Sequence, residues 1–306
     1  MLTSPSPPKY EAADPREVEA VALTRHARRL AGAQTPPWLH VEVAARMAER
    51  LPIIKLKPRR VLQWSAFLGA ADALLAAQYP QAEQRCVELS PELLVRSEAA
   101  HKRAWWRALG GGAGTQIGAP ASVAAGQAEL VWANMCLHAN ADLPAVLAAW
   151  HAALAVDGFV MFSCLGPDSF VELRPIFGRM GWGKTAPQWW DMHDIGDAMV
   201  SAGFADPVMD QERISLTWGD GEALLRDLRA LGGNLSPERF KGCRTRAWRA
   251  KLLNELEALR AGDGRLRLSL ELVYGHAFKP KPKIRVSAET TLSLEEMRAM
   301  VQRSGA

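Results

Sequence analysis

The residues most able to do chemistry lie at one join, VLQWSAFLGAAD (Val61–Asp72). A strand-like run ends there, a short turn follows, and a helix-forming run begins. In an α/β protein such a join holds a nucleotide-like cofactor, because a glycine-rich turn and a helix N-terminus present bare backbone N–H groups to the ligand. Here the turn carries Ser65, Ala66 and Phe67, with a glycine at Gly69. Two other stretches suggest ligand chemistry and fall short of it. HDIGD sets His193 and Asp197 four residues apart, which gives at most two metal ligands on one helix, so a polar helix start is the better reading. GGGAGT (Gly110–Thr115) follows a helix rather than a strand and no Gly-Lys-Ser/Thr closes it, so it reads as a connection rather than a phosphate loop. His138 and His276 have no evident partner and read as structural.

Several function classes are set aside by composition. The chain has 306 residues, a formal charge of +4 and nearly half apolar residues. That charge and a pI near 9.0 permit an acidic partner without requiring nucleic acid. The four cysteines (Cys86, Cys136, Cys164, Cys243) have no paired spacing, which argues against zinc, iron–sulfur and disulfide frameworks and fits the cytoplasm. The lead MLTSPSPPKY is not a signal peptide, and no apolar run reaches the ~20 residues of a membrane span. Eleven tryptophans against three tyrosines predict mainly packing residues, including the pairs Trp105-Trp106 and Trp189-Trp190.

The elements that must position the join alternate regularly. Helices are expected over Pro15–Ala31 and from Pro37-Trp38 to before Pro52. Strand Val61–Trp64 precedes helix Ala66–Gln78, and strand Arg85–Leu89 precedes helix Pro91–Leu109. After a weak strand at TQIG come strand Glu129–Asn134, helix Asp142–Ala155 and strand Gly158–Cys164. This alternation predicts a parallel sheet with helices on both faces. Helices at Asp168–Met180 and Met192–Ala202, a strand near Pro207–Trp218, helices at Glu222–Leu231 and Pro237–Arg260, and strand Arg265–Phe278 follow. Ser293-x-x-Glu296 reads as the capping box of a last short helix.

Four segments carry a closer resemblance: VWANMCLHANADLPAVLAAWHAAL, DGFVMFSCLGPDSFVELR, DMHDIGDAMVSAGFADPVMD and LELVYGHAFKP. The pattern resembles the class I methyltransferases, and these segments resemble the malonyl-acyl carrier protein O-methyltransferases of biotin synthesis, from about Val61 to about Pro280. The resemblance implies an α/β, Rossmann-like sheet of seven mostly parallel strands. The organisation expected is a disordered start and, where the resemblance places a lid, helices over 1–51, then a core over 52–280 with a helical insertion near 220–263; beyond the resemblance, 281–306 reads as a basic tail with a short helix. The resemblance also implies S-adenosylmethionine as cofactor and an acyl carrier protein as partner.

Carried over by position, the cofactor-binding candidates are Gln63, Ser65, Gly69, Glu88, Leu89 and Asn134. Glu88, ending the second strand, matches the acidic residue that holds the ribose hydroxyls, and a carboxylate suits a diol because its two oxygens accept both protons. Asn134 matches the asparagine that lines the methionine end of the pocket. The turn departs from the family pattern V-L-D-x-G-x-G-x-G. Gln63 replaces a carboxylate, while Ser65 and Phe67 replace glycines that allow positive φ and close backbone approach. In IGAPASVAAGQAE the acidic residue expected after the third strand is missing, and Glu129 replaces an aspartate. Structural roles stand beside each candidate: Glu88 capping the helix at Pro91, Asn134 satisfying local backbone, Ser65 as an N-cap.

Methylating a carboxylate needs no Ser/His/Asp or paired-carboxylate machinery, since the acceptor is already ionised near neutrality. A malonyl carboxylate would be held by a cation, with Arg174, Arg213 and Arg226 as candidates. The basic run Arg239, Lys241, Arg244, Arg246, Arg249 and Lys251 is the expected docking site for an acidic carrier. The alternative reading is a degenerate, non-catalytic relative that binds a protein partner without S-adenosylmethionine.

Overall fold

Short apolar runs bounded by turns supply the strands, and their near-continuous hydrophobicity suits a sheet covered on both faces. The computed structural model describes residues 16–107, 115–140 and 142–282, with the backbone alone over 101–107. The strands are β1 (Arg60–Trp64), β2 (Glu83–Val87), β3 (Gln116–Gly118), β4 (Ala128–Ala133), β5 (Leu154–Leu165), β6 (Ala205–Trp218) and β7 (Leu266–Phe278). They form one seven-stranded sheet in the order β3-β2-β1-β4-β5-β7-β6. β7 runs antiparallel to β5 and β6, and the other pairings are parallel. This is the expected class I methyltransferase architecture. The strand order reverses between β1 and β4, where doubly wound sheets bind ligands beyond the carboxyl ends of the strands.

The helices are α1 (Ala20–Ala31), α2 (Trp38–Ala48), α3 (Ala66–Gly69), α4 (Asp72–Gln78), α5 (Pro91–Arg107), α6 (Leu143–Ala153), α7 (Leu173–Arg179), α8 (Met192–Ser201), α9 (Gly221–Ala230) and α10 (Arg246–Leu256). One face of the sheet buries Leu62, Trp64, Val131 and Phe162 against Leu147 and Trp150 of α6 and Ile195 and Met199 of α8. The other buries Val61, Leu130, Trp132 and Phe159 against Leu39, Val43 and Met47 of α2 and Leu75 of α4. Burying one such Leu, Val or Phe side chain stabilises the fold by about 1.5–3 kcal/mol. A third cluster joins Leu173, Ile176, Trp182, Leu224, Leu252 and Leu256 to Leu266 and Leu268 at the far end of β7. Most tryptophans whose side chains are described pack in these clusters, as their number suggested.

Four expected helices are shorter or broken, the first of them beginning at Ala20 rather than Pro15. The run Ala66–Gln78 divides at Ala70, whose φ of 51° ends the first turn. The helix expected at Asp168 begins at Leu173, because Phe170 donates its N–H to the Ser269 carbonyl and takes a φ of 57°. The helix expected at Pro237 begins at Arg246, capped by the Thr245 hydroxyl, which accepts from the Trp248 N–H. Upstream, Asn234 Oδ1 accepts from Ser236 N and Ser236 Oγ from Glu238 N, so local side chains take the backbone groups a helix would use. Residues Gly110–Gly114 and the Ser293 helix lie outside the described residues.

Candidate cofactor site at the β1–β4 switch point

β1 delivers Gln63 into the interior, where it is 1% exposed. Its amide donates to Asp72 Oδ1 at 2.9 Å, tying the strand to α4. Ser65 follows with φ 62° and ψ 58°, a left-handed conformation that costs a non-glycine residue about 1–2 kcal/mol. The expected N-cap bond is not made: Ser65 stands at the N-cap position, but its side chain accepts nothing from α3. Ser65→Gly is therefore expected to stabilise the protein by about 0.5–1 kcal/mol, read as a raised midpoint in urea denaturation.

Phe67 turns away from the strand ends into the helix layer. Its ring packs with Leu30 and Ala31 of α1, Leu68, and Leu93 of α5. The Arg96 guanidinium lies 3.3 Å from the ring centroid and donates to the carbonyls of Ala33 and Gln34 at 3.1 and 3.0 Å. The residue that displaces a glycine thus serves as a platform on which α1 and its connection to α2 are held. At Gly69 an added Cβ would meet the protein only in ordinary contact, Trp132 Cδ1 at 3.9 Å, and the Gly69 carbonyl accepts from the Asn134 amide.

Asn134 follows β4 and is 0% exposed. Its amide nitrogen donates to the carbonyls of His40 at 2.8 Å and Gly69 at 3.1 Å, and its Oδ1 accepts from Ser163 Oγ at 2.6 Å. It therefore joins the ends of β4 and β5, the loop after β1 and the start of α2. These partners are not local in sequence, unlike the backbone role weighed for it. Burial pushes the His40 pKa down to about 4, so its ring is neutral and its Nδ1, 2.9 Å from the Leu68 carbonyl, carries the proton it donates.

Glu88 follows β2 and is 1% exposed. Its Oε1 accepts from the Phe67 N–H at 2.8 Å and Ser97 Oγ at 2.7 Å. It binds mid-α5 and the loop rather than capping the helix start at Pro91, where the Ser90 hydroxyl accepts from Leu93 N. Burial raises its pKa above the ordinary carboxylate range, outweighing the Ser97 and Phe67 hydrogen bonds and nearby Arg96, which lower it. Its Oε2 is buried with no partner among the described residues. Leu89, next to it, is 36% exposed.

The sequence missed four residues here: Asp72, Ser97, His40 and Ser163. Ser163 left a signal, a hydroxyl inside the otherwise apolar run GFVMFSC, whereas His40 and Ser97 left none. The candidate cations do not gather at this site as a set. Arg213 pairs with Asp168 and Arg174 donates to the Pro167 carbonyl, so both converge on the turn after β5. Arg226 lies apart, exposed on α9 and within the field of Glu222. HDIGD is a helix start, with Asp191 accepting from His193 N and Asp194 N. Among the described residues no group of three or more metal-ligand side chains gathers. His138 stands edge-on to Trp189 at 6.0 Å between centroids.

A cofactor with a ribose diol fits part of this arrangement. Glu88 has a buried oxygen with acceptor capacity unused, which a hydroxyl would satisfy. Asn134 already uses both amide atoms on the protein itself. Two cavities, of about 210 and 650 Å³, are lined by neither residue.

No model of a known protein family matches the chain. Individual proteins do. It is 40% identical over 80% of its length to a malonyl-acyl carrier protein O-methyltransferase of Gallionella capsiferriformans, covering 86% of that protein. It is 40% identical over 81% of its length to the protein of that name in Laribacter hongkongensis, covering 84% of it. A Bacillus halodurans structure described as a methyltransferase superposes with a TM-score of 0.50, at 12% identity, over 78% of this chain and all of that one, which bears on fold alone. With the reversed strand order, the acidic end of β2 and the asparagine after β4 in place, the chain belongs to the malonyl-acyl carrier protein O-methyltransferase family.

Proposed function

We propose that this protein methylates the free carboxylate of a malonyl thioester carried on an acyl carrier protein, in the manner of biotin synthesis. Family membership supports the reaction, and the observation that carries the reading is the unpartnered, buried Oε2 of Glu88 at the switch point. S-adenosylmethionine, when bound, supplies a methyl group already activated on a sulfonium. The chain's own residues then have a positional task. Glu88 would hold the ribose. Asn134, satisfied by His40, Gly69 and Ser163, fixes the floor by locking the loop after β1 to α2 and β5. Helix α1 packs on Phe67 and on Leu93 of α5, beside the loop whose backbone Glu88 holds, and dry alignment is what a carboxylate nucleophile needs. No acid or base is required.

The turn after β5, which gathers Arg174 and Arg213, is the better placed region for the malonyl carboxylate, with Arg226 apart from it. We take the compartment to be the cytoplasm, given four unpaired cysteines. Among the described residues no helix is long and apolar enough to cross a membrane.

The internal satisfaction of Asn134 and of the loop favours a second reading, in which the protein binds a carrier without the cofactor. Calorimetric titration with S-adenosylmethionine and S-adenosylhomocysteine separates the two. The enzyme reading expects Kd values on the order of micromolar. No heat at millimolar ligand, with and without carrier protein, would hand the protein to the second reading.

A further inference from the structure

Helix α1 lies along a seam with residues 232–239, and the seam is crowded with positive charge. Arg29 donates to the Gly232 carbonyl at 2.6 Å. A Cβ on Gly232 would fall 2.2 Å from the His26 ring, so a bare glycine at φ 102° lets the helix come this close. At the N-cap position of α1, Glu19 donates its N–H to the Leu235 carbonyl at 2.9 Å and pairs through its carboxylate with Arg239. Arg229 ends α9 beside Arg29, and Arg244 reaches over the Trp248 ring at 5.5 Å from its centroid.

Four arginines from three segments thus meet with one carboxylate among them. Arg29, Arg229 and Arg244 form no ion pair with a carboxylate among the described residues, whereas Arg239 is taken by Glu19 and Arg249 by Glu222. The crowding is felt by the groups themselves. Arg29 is pushed below the ordinary arginine range by burial and by Arg229, and Arg244 by burial, Arg239 and Arg29. Like charges held together by backbone contacts repel, and an anionic partner relieves that repulsion.

We propose that Arg29, Arg229 and Arg244 form the docking surface for an acidic carrier protein, which meets this chain at the junction of α1 and α9. The inference rests on the carrier-dependent reaction proposed above, and it changes where that carrier sits. The basic run read along the sequence, Arg239–Lys251, is not one face. Arg249 is drawn off to Glu222, and two of the three docking residues lie outside the run. A carrier here touches α1, which packs on Phe67, the residue whose backbone N–H Glu88 accepts.

The test is a fluorescence-anisotropy titration of labelled holo acyl carrier protein with the full chain, at several salt concentrations. The parent is compared with a triple variant, Arg29→Glu, Arg229→Glu and Arg244→Glu, and with Arg249→Glu as a charge-matched control. The triple variant is expected to weaken binding by about 30-fold and to flatten its salt dependence, while the control stays within about twofold. Equal weakening by the control, or an unchanged triple variant, overturns the surface while leaving the carrier reading standing. Absence of carrier binding by the parent defeats the carrier reading itself. Displacement of the carrier by an equal concentration of duplex DNA would show a general polyanion surface and also overturn the proposal. If the triple variant melts early, Arg244→Gln and Arg229→Gln singly, each expected to weaken binding by about threefold, decide the matter.

Discussion

Asn134→Ala is expected to destabilise the protein by about 3 kcal/mol, because the residue satisfies three other groups where water does not reach. Removing the amide takes a donor from the carbonyls of His40 and Gly69 and the acceptor from the Ser163 hydroxyl, all within hydrogen-bond distance of a side chain that is 0% exposed. Each net bond is worth about 1 kcal/mol, and each buried group left unmade costs about as much again or more. Ser163→Ala leaves Oδ1 without its donor, while the Met135 N–H loses the Ser163 hydroxyl but keeps the Ser163 carbonyl; it should cost about 1 kcal/mol, and the double variant little more than Asn134→Ala alone because the two share one bond. Urea denaturation of the parent and the three variants measures this cycle. If Asn134→Ala costs under 1 kcal/mol, water or a shifted backbone has replaced the amide and the residue is not the tie described here.

Glu88→Gln is expected to do two opposite things. It should raise stability at pH 8 and weaken S-adenosylhomocysteine binding by about 10–100-fold, the latter because the amide offers one acceptor oxygen where the carboxylate offers two, without its charge. The stability effect has a definite sign. Burial lifts the folded-state pKa of Glu88 above its unfolded value, so the folded protein binds this proton more tightly than the unfolded chain does. The contribution is fully present below the ordinary carboxylate range and is lost as pH rises through the raised folded pKa. A glutamine does not titrate. The variant should therefore exceed the parent in melting temperature at pH 8, and the difference should shrink toward pH 4. A pH-independent difference would mean that Glu88 is not the titrating group. Unchanged ligand affinity would remove it as the ribose acceptor.

The frame of the site was readable because strand ends announce themselves. Glu88 and Asn134 each follow an apolar run at the carboxyl end of a parallel strand, and nothing distant is needed to place them there. Their partners were not readable. His40 comes from 94 residues away and Gly69 from 65, and no local pattern encodes such meetings. Phe67 shows the same limit from the other side. The sequence says that a glycine has been replaced, but the direction of the ring depends on Leu30, Leu93 and Arg96, which belong to two other helices. Helix lengths failed where side chains compete for backbone groups, as Asn234, Ser236 and Thr245 do before α10. The pairings within the basic run were unreadable for a related reason: Arg239 meets Glu19 and Arg249 meets Glu222 across the fold, and α10 starts only at Arg246.

The attachments of α1 also set a timetable. Its connection to α2 waits for Arg96, 63 residues after Ala33, Arg16 waits for Asp194, 178 residues on, and Arg29 for Gly232, 203 residues on. At a synthesis rate of about 5–20 residues per second, the last of these partners reaches the growing chain roughly 10–40 s after α1 has been made. During that interval Ala22, Ala27 and Leu30, buried in the finished protein, have no completed seam to enter. The first helix among the described residues is thus secured only after α9 has been made. A chain interrupted before Gly232 would already hold β1 through β5 and the turn that carries Phe67, with the helix that closes over it still unfastened along half its length.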